Sequence, residues 1–175
     1  MRTIKVIVDG QAAREIPAET PALAVVPGKA SNGLPVLAAL VNNEVVSLCT
    51  PLGVHCEVKS LTLADEYGWR VYRWSLGFIL AKAVHETWPG VSFRVRHSIG
   101  GGLYCSVDWG RNHAKVPVRE RIQRIERAMQ GIVDADLPVE MIRVSYEDAL
   151  RRFAETGQHD KLNLLKHRNP PQVLL

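Results

Sequence analysis

Cysteine is scarce in this chain: Cys49, Cys56 and Cys105 are the three in 175 residues, and no two of them form a C-x-x-C pair. An odd number at wide spacing supplies neither a disulfide framework nor the paired thiolates of a zinc ribbon, so they read as reduced, small core residues. His55 beside Cys56 is no metal pair on its own, because structural zinc takes four ligands. Long apolar runs are also lacking. No stretch approaches the roughly 18–20 residues that a membrane span needs. The opening MRTIKVIVDG alternates as a strand does, without the basic and then apolar order of a signal segment. A cytoplasmic protein with no membrane partner is expected. Phosphate loops are missing too. Ser98-Ile99-Gly100-Gly101-Gly102 has neither the G-x-x-x-x-G-K-[ST] nor the G-x-G-x-x-G spacing, and Gly28-Lys29 is followed by Ala30 where a hydroxyl residue is required.

What the chain does have is enough length for one ordinary domain or two small ones. Ile4 to Val8, the turn signal Asp9-Gly10 and Gln11 to Ile16 predict an opening hairpin. Pro21 to Val26 reads as a short helix stopped by Pro27-Gly28, and Ser31 to Pro35 as loop. Val36 to Val41 and Glu44 to Ser47 flank Asn42-Asn43, a second tight-turn signal, and Glu57 to Leu63 alternates as a last strand. Gly68 to Pro89 then carries the longest helical pattern. Trp69, Tyr72, Leu76, Ile79, Leu80, Ala83 and Val84 form its expected core stripe, and Trp74 and Phe78 stand one turn apart. Val91 to His97 and Leu103 to Trp109 predict a hairpin around the glycine run. A helix follows Pro117, with Ile122, Ile125, Met129, Ile132 and Val133 as its apolar stripe up to Asp134. Val139 to Val144 reads as a strand. Ser145 with Asp148 marks a helix start for Tyr146 to Thr156, Gly157 ends it, Asp160 to Lys166 makes a short further helix, and Asn169-Pro170-Pro171 breaks the pattern.

Charge is uneven. Residues 1–66 carry 5 Lys/Arg against 7 Asp/Glu, whereas residues 67–175 carry 17 against 11, so the surplus behind the net charge of +4 lies in the second part. Such a surplus is compatible with a phosphate-bearing partner and also with a solvated surface. Arg119, Arg121, Arg124 and Arg127 are expected on the faces of their helix that point away from the core, partly spent on local pairs with Glu120 and Glu126. His97 and Cys105 lie on opposite strands of the predicted hairpin, but without an orienting third group they make no catalytic dyad. His85, His113, His159 and His167 stand alone.

The segment VNNEVVSLCTPLGVHCEVKSLTL, with its order of strand, Asn turn, strand, Pro51-Leu52 step and strand, resembles the TGS domain, a ubiquitin-like β-grasp module at the N-terminus of threonyl-tRNA synthetases and of certain regulatory proteins. Further on, LAKAVHETWPG, HSIGGGLYCSVDW, IERAMQGIVDADLPVEMIRVSYEDALRRF and GQHDKLNLLK resemble the second N-terminal domain of threonyl-tRNA synthetases. In bacterial members that domain edits mischarged tRNA, and it is shared with alanyl-tRNA synthetases. The resemblances imply an α+β chain: a TGS-like β-grasp domain over residues 1–64, a degenerate editing-like α+β domain over 67–168, and the start of a linker or a truncated next element over 169–175.

The editing domain works with an H-x-x-x-H pair on its first helix, a Cys-x-x-x-His pair and a lysine. At the histidine positions this chain has Trp74 and Phe78, neither of which binds metal or shuttles a proton at neutral pH. Lys161 matches the lysine, and no Cys-x-x-x-His occurs. No catalytic residue, no metal and no cofactor are therefore expected in this chain. YRWSLGFIL is similar to the phrase found at this place in uridine kinase-like nucleoside kinases. That similarity implies a non-catalytic recognition or regulatory region ahead of a P-loop kinase domain in the same chain, with ATP and Mg confined to that domain, and NPPQVLL as a cut end. Two other readings stand beside it: an editing hydrolase for mischarged aminoacyl-tRNA of threonyl or alanyl type, and a protein-interaction or small-ligand module. If tRNA or another RNA is the partner, the candidate contacts are Arg94, Arg96, Lys161, Lys166 and Arg168, since phosphate binding needs accessible cations.

Overall fold

The structure, a computed structural model, describes residues 2–139, 141–168 and 170–175. Glu140, inside the predicted strand 139–144, and Asn169, in the predicted break, lie outside the described residues. The secondary structure is mixed α+β, compatible with a region of the TGS and editing-like kind. Contacts group the chain into two compact units, Met1–Asp134 and Ala135–Leu175, each described by itself below.

The first unit opens with β1 (Thr3–Val8), whose strict alternation sends Ile4, Val6 and Val8 inward. Asp9 and Gly10 form the expected turn with positive φ at both residues, closed by Gln11 N–H donating to the Val8 carbonyl at 2.9 Å. The tight hairpin does not follow. Strand β2 (Arg14–Pro17) pairs with Val6 opposite Arg14, so Ile7 and Val8 stay in the sheet against residues 57 and 58 and the chain returns only through a loop over residues 9–13. The reason lies across the sheet, where the Asp9 carboxylate accepts from both the backbone N–H and the hydroxyl of Ser60, each at 2.7 Å.

After β3 (Thr20–Pro21) and a 3-10 turn at Ala22–Ala24, β4 (Ala38–Val41) and β5 (Glu44–Val46) do make a two-residue hairpin, with Asn42 and Asn43 both left-handed. The short β6 (Pro51–Leu52) pairs with β3, and β7 (Cys56–Leu61) runs up the middle of a five-stranded sheet ordered β2-β1-β7-β4-β5. Only the β1–β7 pair is parallel. Ile4, Val6, Val8, Ala39, Cys56 and Val58 from the sheet close on Ala22, Val26, Val36 and Leu52 to form its core.

Helix α1 (Glu66–Thr87) leaves the sheet almost without a linker. Asp65 stands at its N-cap, yet its carboxylate turns back to accept from the Thr62 backbone N–H and hydroxyl at 2.9 and 3.1 Å. One turn on, a Cβ at Gly68 would lie 2.0 Å from the Thr62 carbonyl oxygen, so only glycine permits this approach. Strands β8 (Ser92–Ile99) and β9 (Gly102–Asp108) form the predicted hairpin, followed by α2 (Gly110–His113) and α3 (Val118–Asp134). The second core joins Leu80, Ala83, Val84 and Trp88 to Phe93 and Val107 of the hairpin and to Ile125, Ala128, Met129 and Ile132 of α3.

Two sequence expectations need correction here. The core stripe of α1 is real only in its second half: Trp69, Tyr72 and Leu76 remain exposed, because α3 and the hairpin base cover only the C-terminal turns. On α3, Ile122 and Val133 are exposed, and it is Arg121 that is buried beside Ile125, at 8% exposure. The Arg121 guanidinium lies over the Trp109 ring at 4.3 Å, and Trp109 meets Trp88 edge-on at 5.8 Å. Stacking on an indole returns about 0.5–2 kcal/mol, against a penalty of several kcal/mol for a buried ion without a counter-charge.

In the second unit, β10 (Arg143–Ser145) pairs antiparallel with β11 (Gln172–Leu174), which lies in the span 169–175 read from the sequence as the start of a linker or a truncated next element. Between them, α4 (Tyr146–Glu155) starts at Ser145, whose hydroxyl accepts from the Asp148 N–H as the spacing predicted, and ends at left-handed Gly157. Helix α5 (His159–Leu165) follows. Ala149, Phe153 and Leu165 form the core with Val144 and Val173, and the Tyr146 hydroxyl donates to the Leu165 carbonyl at 3.0 Å.

Candidate nucleic-acid interface

The hairpin β8–β9 carries the densest set of accessible cations and rings among the candidates. Regular pairing sets Arg94 opposite Ser106 and Val95 opposite Cys105; the register then slips at Arg96, and His97 comes opposite Tyr104. Opposed residues share a face of a ladder, and so do alternate residues of one strand. Tyr104 and Ser106 therefore share a face with Arg94 and, because of the extra residue at Arg96, with His97 as well. Without this bulge, His97 would point the other way. The Arg96 Nε donates to the Ser106 hydroxyl at 2.9 Å, which places its guanidinium on that same face.

The opposite face is turned to the helix. Phe93 and Val107 enter the second core, the Arg73 guanidinium donates to the Ser98 hydroxyl at 2.9 Å, and the Leu103 side chain lies 3.6 Å from where a Cβ on Gly77 would stand. The outer face is left to solvent with Arg94, Arg96, His97 and Tyr104 all exposed, and the His97 and Tyr104 rings lie 5.0 Å apart at 31°. Neither arginine pairs with a carboxylate among the described residues. Two guanidinium groups without a counter-charge among the described residues, beside two flat rings, suit a chain of phosphates with bases to stack.

The sequence reading placed Arg94 and Arg96 on one face correctly but missed the ring pair, since simple alternation puts His97 on the other side. His97 and Cys105 lie on opposite strands as the sequence indicated, but they are not opposed. Cys105 instead faces Val95, and burial pushes its thiol above the ordinary range, which makes a nucleophilic thiolate scarcer. Burial does the same to Cys56. His55 accepts from the Lys5 backbone N–H at 2.8 Å.

Lys161, Lys166 and Arg168 belong to the second unit. Lys161 lies 5.3 Å from the Phe153 ring, Lys166 donates to Asn163 Oδ1 at 3.1 Å, and Arg168 follows the end of α5 with its backbone N–H on the Leu165 carbonyl. The five sequence candidates thus divide into Arg94 and Arg96 on one unit and three cations around α5 on the other. Trp74 and Phe78, at the positions where the editing domain has its histidine pair, line no cleft among the described residues. They project instead from the exposed side of α1, at 76% and 58% exposure, because the hairpin packs along the neighbouring Arg73 and Gly77 side. Among the described residues, no three of His, Cys, Asp and Glu gather as metal ligands, and no helix is long and apolar enough to cross a membrane.

Comparison with known proteins shows what the chain is similar to. No family model matches the chain. The threonine–tRNA ligase of Syntrophotalea carbinolica is 31% identical over 140 residues, covering 79% of this chain and 22% of that protein. The likeness is to threonine–tRNA ligases. Threonine–tRNA ligase 1 of Bacillus subtilis is 36% identical over 129 residues, covering 74% of this chain and 19% of that protein. The threonine–tRNA ligase of Clostridioides difficile is 32% identical over 130 residues, 74% of this chain and 20% of its own length. The chain therefore spans about a fifth of the length of these relatives, and the matched part is their N-terminal region. These similarities lend no support to the uridine-kinase reading or to a downstream kinase domain with its ATP and Mg.

Proposed function

We propose that this chain is a tRNA-contacting, cytoplasmic region of the threonine–tRNA ligase type, with a TGS-like β-grasp module over residues 1–64 and an editing-like α+β domain over 67–168. The observation that carries this reading is the outer face of the β8–β9 hairpin, where Arg94 and Arg96, with no carboxylate partner among the described residues, stand beside the His97–Tyr104 rings. The guanidinium groups take phosphates and the rings take exposed bases, a division of labour that suits a strand with unpaired nucleotides. Lys161, Lys166 and Arg168 add a second set of contacts from the other unit.

A second reading, hydrolysis of mischarged aminoacyl-tRNA, rests on the same similarity and on Lys161, which stands where the editing domain has its lysine. Trp74 and Phe78 weigh against it, because an indole and a phenyl ring supply no general base at the histidine positions. Incubating the protein with seryl-tRNA specific for threonine separates the two readings, since binding without release of serine keeps the first and turnover establishes the second.

Filter binding of bulk tRNA over a range of salt tests the interface. Affinity falls with salt, and the double substitution Arg94→Gln/Arg96→Gln lowers the log–log slope by about 1 for each cation removed. An unchanged slope would remove the hairpin from the contact surface.

A further inference from the structure

The geometry points to a binding site for a small oxyanion, of the phosphate or sulfate class, at the Trp88–Trp109–Arg121 cluster where α1, α2 and α3 meet. This inference is independent of the tRNA reading. Two N–H donors in the cluster, Arg121 Nε and Trp88 Nε1, are buried and have no acceptor among the described residues. Arg121 is more than nine-tenths buried, and no carboxylate among the described residues pairs with it.

The nearby acids are committed elsewhere. Glu120 holds Arg124 at 2.5 Å, and Asp108 Oδ1 accepts from the Gly110 N–H at 3.1 Å. Arg124 itself lies over the Trp88 ring at 5.2 Å, and His113 meets the same ring edge-on at 5.2 Å. The cluster thus gathers cationic and N–H groups around two indoles with one unneutralised charge. Helix α3 begins at Val118, just ahead of Arg121, and its N-terminal partial charge has the same sign. A water molecule accepts a hydrogen bond from one donor but leaves the guanidinium charge uncompensated. An oxyanion satisfies donors and charge together, and burial of Arg121 favours a small one.

The test uses the whole chain in a buffer of chloride alone, titrated with sodium phosphate against sodium chloride at matched ionic strength. Tryptophan emission and thermal melting are the readouts. Phosphate is expected to give a saturable emission change and, at about a hundred times its Kd, a rise in Tm of about 5–10 °C beyond chloride. Arg121→Met abolishes the response. Trp88→Phe, which keeps a ring and loses the N–H, weakens it about tenfold or more and serves as the decisive variant if Arg121→Met does not fold. Equal responses to phosphate and chloride would overturn the site, as would full retention of the phosphate response in either variant. A response to single-stranded oligonucleotide but none to free phosphate would also overturn it.

Discussion

Asp65 shows how one carboxylate can define a junction. It is placed to cap α1 but is spent on Thr62, whose backbone N–H is the main reason its carboxyl sits below the ordinary aspartate range; the Thr62 hydroxyl and Lys59 at 3.4 Å add to the effect, and desolvation opposes it. A group whose pKa is lowered on folding stabilises the fold fully above its unfolded value, about 3.9, and loses that contribution as pH falls through the lower folded value. Asp65→Asn is therefore expected to cost about 1–2 kcal/mol at neutral pH. It should also flatten the acid side of the stability curve below about pH 4, as read from urea midpoints at successive pH values. A variant that loses stability in parallel with the wild type down to pH 2 would show that Asp65 carries no pH-linked contribution.

At the level of elements, α4 offers the sharpest expectation. Its cap at Ser145 is local, and its unit makes its own small core. Ser145→Ala should cost about 0.5–2 kcal/mol and raise amide exchange within residues 141–168 while leaving α1 and α3 unchanged, which hydrogen-exchange mass spectrometry resolves. Elements of this kind were legible in advance, because Ser145, Gly157, Pro89-Gly90 and Pro117 are local signals that need no knowledge of the rest of the chain. The parallel pairing of β1 with β7 was not, since partners fifty residues apart leave no mark on either strand's own pattern. Nor was the bulge at Arg96, where alternation predicts a face and an inserted residue reverses it, which hid the His97–Tyr104 pair. Arg121 was assigned outward by its charge; its burial depends on Trp109, a neighbour brought by another element. The aromatic first half of α1 was misread for the reverse reason, because periodicity reports which residues share a side and not whether anything covers it.

On the scale of the whole molecule, the division after Asp134 falls inside the span 67–168 that the resemblance treats as one domain. Leu137, Val139 and Met141 just beyond it are all exposed. Thermolysin, which cuts before apolar residues in accessible backbone, is expected to make its first cut within residues 135–142 and leave a fragment close to 1–134, identifiable by mass. First cuts within α1 or α3 would show that the larger unit is the looser one. Within that larger unit, the contact between Thr62 and Gly68 has a mechanical consequence. With no slack between sheet and helix, α1 is a strut about 33 Å long, clamped at one end to the β1–β7 sheet and flanked along its side by the arginine-bearing hairpin. The sheet and that hairpin are therefore held at a set spacing, like two fittings on one rigid rod.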